Sequence, residues 1–112
     1  MIEINIAQEF TIAPGARNRT EGLFSGEDFR ETILEPKFLL AVKNNEKLAV
    51  NLDGGYGYAT SFLEESFGGL ARIHGVQPVL DILVIISEDD QSLIENIQDY
   101  IIDCQTTKYR KG

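Results

Sequence analysis

From Lys47 the chain reads KLAVNL, then DGGYGYA, then TSFLEESFGGLARIHG. Leu48, Val50 and Leu52 alternate with Ala49 and Asn51, the period of a strand, and Asp53-Gly54-Gly55 ends it. From Ser61 the spacing becomes helical, with Leu63, Phe67, Leu70 and His74 on one face flanked by Phe62 and Ala71, until Gly75 stops the helix. A strand that passes through a glycine turn into a helix restricts the chain to a sheet covered by helices, largely parallel or mixed.

The remaining segments extend this alternation. Ile2, Ile4 and Ile6 read as an opening strand, and Thr11 to Asp28, with Pro14 and three glycines, reads as a long turn-rich loop. Ser25 or Asp28 caps a helix with Phe29, Ile33 and Leu34 as its apolar stripe. Pro36 lies inside that pattern, where a proline costs about 3 kcal/mol. Either the helix kinks there or, the preferred expectation, a second helix starts at Pro36 and runs to Asn44-Asn45. Val79 to Ser87, VLDILVIIS, suits a strand buried on both faces, and Asp90 to Asp103 an amphipathic helix. The expected fold is α/β, a small single-layer mixed sheet of about four strands with packed helices. Residues 1–106 make one domain and 107–112 a polar tail.

Composition narrows the function. The 112 residues carry 18 acidic and 10 basic side chains, a net charge of −8. That balance argues against nucleic acid and against anionic membranes as partners. No apolar run approaches the roughly 20 residues of a membrane span, and MIEINIAQEF lacks the features of a signal peptide, so a cytoplasmic location is expected. One cysteine, Cys104, and one histidine, His74, leave no internal disulfide and no zinc cluster. No cofactor is expected.

The glycine turn allows three chemistries. Gly55 to Thr60, GYGYAT, has the first two glycines of a dinucleotide loop but Thr60 in place of the third, and no Lys-Ser or Lys-Thr follows. Nucleophilic catalysis by Thr60 or Ser61 lacks a base, since His74 lies about 20 Å along the helix from Ser61, and Cys104, on the apolar side of the last helix, reads as a small core residue. The chain is therefore not expected to be an enzyme. The third reading is a protein-binding surface. SFLE is a capping box in which Ser61 and Glu64 satisfy each other's amides, and a covalent phosphate at the same place would be held by the helix start. Tyr56 and Tyr58 serve as exposed anchors beside Phe62, Glu64 and Glu65. Gly68 and Gly69 suggest a close approach of the helix, with the sheet as the favoured contact. Arg17 and Arg19 either pair with Glu21, Glu27 or Asp28 or, for Arg17, contact an anion.

Ala13 to Arg17 (APGAR), Ser25 to Glu31 (SGEDFRE), Pro36 and Val50 to Leu70 (VNLDGGYGYATSFLEESFGGL) together resemble the STAS-like α/β family. Its better-known relatives are the STAS domains of anti-sigma-factor antagonists and sulfate transporters. The resemblance implies a Ser or Thr at a helix start that a histidine-kinase-like ATPase phosphorylates to release a partner, here Ser61 or Thr60. The antagonists have Asp before and Gly after the hydroxyl pair, where this chain has Ala59 and Phe62. The expected function is a non-catalytic regulatory protein-binding module whose partner is a histidine-kinase-like ATPase. The alternative is a small-ligand or nucleotide sensor using the glycine-rich turn and Arg17. The oligomeric state stays open between monomer and homodimer.

Overall fold

The alternating segments pair as strands. In the computed structural model, which describes residues 1–105, β1 (Ile2–Asn5), β2 (Leu48–Asn51) and β3 (Leu83–Ile86) form a parallel sheet in the order β1-β2-β3. Ile4 stands beside Val50, and Val50 beside Ile85. The fold is the α/β arrangement expected, with three strands rather than about four, all of them parallel. The tail, 107–112, lies outside the described residues.

Strands laid in chain order and joined by right-handed crossovers place their helices on one face of the sheet. The burial agrees. Ile4 and Val50 belong to the core and Ile2, Leu83 and Ile85 pack against it, whereas in the alternate row Glu3 and Val84 are exposed and Ala49, on the central strand between them, is covered. The helical layer begins with α1 (Ile6–Glu9), capped by the Asn5 side chain, which accepts from the Gln8 amide. A 3₁₀ turn, Arg19–Glu21, sits in the long loop.

The second helix, α2, runs without a break through Gly26–Phe29, a π-helical stretch Arg30–Leu34 and Glu35–Asn44. Ser25 caps it, its hydroxyl accepting from the Asp28 amide at 3.0 Å. The expected second start at Pro36 is therefore corrected. Pro36 has no amide to give the preceding turn, and the chain accommodates it by widening that turn: the Glu35 amide reaches back five residues to the Arg30 carbonyl. The Thr32 hydroxyl donates to the Asp28 carbonyl at 2.7 Å.

The next helix, α3, has the same construction, Thr60–Leu63, a wide turn Glu64–Gly68, then Gly69–His74. Gly75, with φ 98°, ends it as expected. The expected strand at Val79 to Ser87 is also corrected. Its first half is helix α4, Val76–Ile82, because Pro78 falls in the first helical turn, where a missing amide costs nothing. Only Leu83–Ile86 is strand, and it is an edge strand, half-buried rather than enclosed. The last helix, α5 (Ser92–Ile102), lies close to its expected span and buries Ile97, Tyr100 and Ile101. Among the described residues no helix is long and apolar enough to cross a membrane.

The start of α2 crosses α3 at Gly26. A Cβ there would stand 2.5 Å from the Phe62 carbonyl oxygen and 3.1 Å from the Glu65 Cβ. Gly26→Ala is therefore expected to destabilise the fold by about 1–3 kcal/mol, the usual cost of overpacking. Urea unfolding measures it, and an unchanged midpoint would refute the crossing.

Candidate functional site

The loop after β2 is fixed by hydrogen bonds to the turn after β3 and to Ile12. The Asp53 carboxylate accepts from the amides of Glu88 at 3.1 Å and Asp89 at 2.9 Å, and the Asp89 carboxylate accepts from the Gly54 amide at 3.2 Å. The Tyr56 amide donates to the Ile12 carbonyl at 2.8 Å. On this clamped loop the Tyr56 side chain is 84% exposed. Tyr58 behaves differently. It is half-buried against Phe62, with ring centres 5.9 Å apart, and its hydroxyl donates to the Leu52 carbonyl at 2.8 Å. Desolvation, together with the charge of Asp53, pushes this phenol up to about 12. Tyr58 is thus a supporting residue rather than the free surface anchor expected.

At the helix start, Thr60 is exposed and Ser61 half-buried. The N-cap is Ala59, which has no side-chain oxygen, so the capping box expected between Ser61 and Glu64 does not form. Nor do Phe62 and Glu64 lie on a surface: both are fully buried, Phe62 stacked against Phe29 at 5.9 Å. Three of the residues expected to meet a partner, Phe62, Glu64 and Glu65, instead face inward.

Glu64 turns inward because cations meet it there. Arg17 Nη1 donates to Oε1 at 2.5 Å, and Arg72 donates to both carboxylate oxygens, at 2.5 and 3.3 Å. Arg72 also donates to the Cys104 carbonyl at 2.9 Å, which ties α3 to the end of α5. Glu65, mostly buried, completes the cluster through Arg30 at 2.9 Å and Arg17 at 3.3 Å. Arg30 Nε donates to the Glu65 carbonyl at 3.2 Å, so the two wide turns face each other. Burial alone would push the Glu64 carboxyl up; the hydrogen bonds and charges of Arg72 and Arg17 overcome it and hold the group below its ordinary value.

Arg17 is consequently a buried structural partner in place of the expected anion contact. Its ion pairs are with carboxylates 47 and 48 residues away rather than with those of its own loop. Arg19 does pair locally, with Asp28 and Glu31. The glycine pair serves this cluster and not the sheet. A Cβ on Gly68 would lie 2.5 Å from Glu64 Oε2 and 3.1 Å from the Tyr100 carbonyl, and one on Gly69 would lie 2.8 Å from Arg30 Nε. Arg72 escaped the sequence reading, although Glu64, Gly68 and Arg72 at four-residue steps are the trace it leaves.

The sole histidine, His74, sits 2.6 Å from Glu35 and against the Phe38 ring, joining α3 to α2. Cys104 is fully buried in the core.

Replacing Glu64 with Gln removes the buried charge that Arg17 and Arg72 share, leaving them the more distant carboxylate of Glu65, and is expected to cost about 3–5 kcal/mol. Because the folded carboxyl titrates below its ordinary value of 4.5, its contribution is present above that pH and is lost as pH falls through the folded value. Denaturant unfolding across this range should show a shallower acid loss in Glu64→Gln than in the unaltered protein. Equal acid loss in both would exclude the cluster as a source of acid sensitivity.

A family profile described as a STAS-like domain of unknown function (DUF4325) matches residues 25–93. No curated protein and no solved structure matches the chain. The matched segment starts at the Ser25 cap, takes in both wide-turned helices, β2 and β3, and ends in the first turn of α5. With more than half its length matched, the chain belongs to the STAS-like domain family of unknown function.

Proposed function

We propose that the chain is a non-catalytic regulatory module that binds another protein through the loop 53–59 and the first turn of α3, with Tyr56, Thr60 and Ser61 as the residues met. The observation that carries this reading is Tyr56, an aromatic ring 84% exposed on a loop whose backbone is tied down on both sides. A rigid, exposed tyrosine offers large contact area at small entropic cost, which is why such residues dominate interfaces.

By analogy with STAS relatives, the partner is a histidine-kinase-like ATPase in the cytoplasm and the hydroxyl is its target. Exposure favours Thr60 over Ser61 as acceptor. With Ala59 at the cap, the first amides of α3 have no side-chain partner there, and a phosphate on Thr60 would add negative charge at the positive end of the dipole. The non-catalytic reading is supported by the separation of His74 from the hydroxyls, thirteen residues along α3 from Ser61.

A ligand or nucleotide sensor has less support. The recess beside Gly55, Gly57 and Tyr58 holds about 110 Å³, below the roughly 300 Å³ at which ligand pockets begin, and the wider one of about 380 Å³ between Asn5, Gln8, Ile12 and Gly54 is lined by Asp53 and, among the described residues, by no cation that would hold a phosphate. The strand order never reverses, so the sheet lacks the switch-point crevice where α/β folds bind nucleotides. Arg17 is buried against Glu64.

Affinity capture from cell extract with the unaltered protein, Tyr56→Ala and Thr60→Glu tests the reading. Both variants are expected to keep the unaltered circular dichroism spectrum and to lose a partner that the unaltered protein retains, by about tenfold in affinity. Equal retention by all three would reject this surface.

A further inference from the structure

The long loop ends in Gly22-Leu23-Phe24, and this tip holds apolar side chains out to solvent. Leu23 is 82% exposed and Phe24 43%. Phe24 sits at φ 56°, a left-handed conformation that a side chain of this size adopts only when its surroundings impose it, and Gly22 at φ 148° occupies a region open to glycine. The surroundings are specific: the Phe24 carbonyl accepts from the Gly15 amide at 2.9 Å, and its ring meets the Phe10 ring edge-on at 5.5 Å. The loop thus keeps Phe24 in a costly backbone state while leaving Leu23 almost bare.

The tip is physically continuous with the loop that carries Tyr56. Phe10 touches the Phe62 ring at 6.4 Å, and Phe62 touches Tyr58 at 5.9 Å, so an aromatic chain runs from Phe24 to the second loop. Ile12, itself 46% exposed, accepts from the Tyr56 amide. Charge then distinguishes the occupants. Glu21, Glu27, Asp28 and Glu31 lie beside the tip in sequence or pair with Arg19, the one exposed guanidinium among them. A second copy would bring the same acidic surround to its own, and an anionic bilayer would be repelled as well.

We propose that Leu23 and Phe24 are the apolar anchor of an interface with a different protein, one that presents an apolar pocket rimmed by Lys and Arg. The proposal rests on the partner-binding reading of Tyr56 and extends that surface across both loops. Leu23 enters the pocket, Phe24 shapes the tip, and the acidic surround, whose four carboxylates outnumber the one guanidinium of Arg19, meets the basic rim.

A photocrosslinking phenylalanine derivative at position 23 traps what the tip touches. The trapped protein, identified and produced separately, is then titrated with the unaltered chain, Leu23→Ser and Tyr56→Ala at increasing sodium chloride. Leu23→Ser is expected to weaken binding at least about tenfold without moving the melting temperature, and added salt to weaken binding to the unaltered chain. If Tyr56→Ala loses binding but Leu23→Ser does not, the anchor is wrong while the Tyr56 surface stands; if neither loses binding, both fall. Crosslinks only to a second copy, no crosslink, co-flotation with phosphatidylglycerol vesicles, or binding indifferent to salt would each overturn the proposal.

Discussion

A carboxylate removed from water is held only if cations are brought to it, and Glu64 has two. The rest of the helical layer is arranged around that requirement. Arg17 comes from the long loop, Arg72 from two turns further along the same helix, and Arg30 reaches the neighbouring Glu65 from α2. Arg72 passes the connection on to the Cys104 carbonyl at the end of α5. Glu64 and Glu65 together thus fix the loop, two helices and the helix that follows the last strand, and Gly68 and Gly69 are the clearance that Glu64 and Arg30 need. Such a cluster is weak as a source of net stability but strict about geometry, since every member has to arrive for any to be satisfied.

This explains which parts of the fold could be read from local pattern. The strands at Ile2 and Leu48, the Ser25 cap and the Gly75 stop depend on residues within a few positions of one another, and they lie where the alternation and capping rules put them. Ser61 and Glu64 satisfy the same kind of local rule, yet it lost. The capping box offers two ordinary hydrogen bonds at a wet helix end, whereas two guanidinium groups from residues 17 and 72 offer charged ones in a dry interior. Nothing near position 64 announces Arg17. At Val79 to Ser87 the difficulty was another: an apolar run has no phase, and Pro78 marks only the start of the helix that takes its first half, not the change to strand at Leu83.

The candidate surface divides on the same ground. Tyr56 and Tyr58 share a glycine turn and look equivalent as letters, but their side chains face opposite ways along the loop. Tyr58 finds the Leu52 carbonyl and the Phe62 ring, while Tyr56 has its backbone bonded to Ile12 and its ring left outside. The distinction depends on the Ile12 strand of loop lying alongside, a contact across more than forty residues. Leu23 and Phe24 escaped notice for a related reason. An apolar pair in a long loop is ordinary in sequence, and only exposure together with the left-handed backbone at Phe24 sets it apart.

Each wide turn is an α-helix carrying one residue more than its length requires. The buried rings show what that residue does. Phe62 and Phe67 are five apart, as are Phe29 and Leu34, and all four are fully enclosed. Five residues of regular α-helix turn through about 500°, which would put the members of each pair on different faces. The wide turns bring them back into phase. Length variation therefore falls differently on this fold than on most: a residue lost from either helix would leave a better helix and a worse core, rotating the whole segment beyond it. Insertions and deletions belong in the loop 11–24 and in the turn after β2, and the two helices admit them only where the phase is restored.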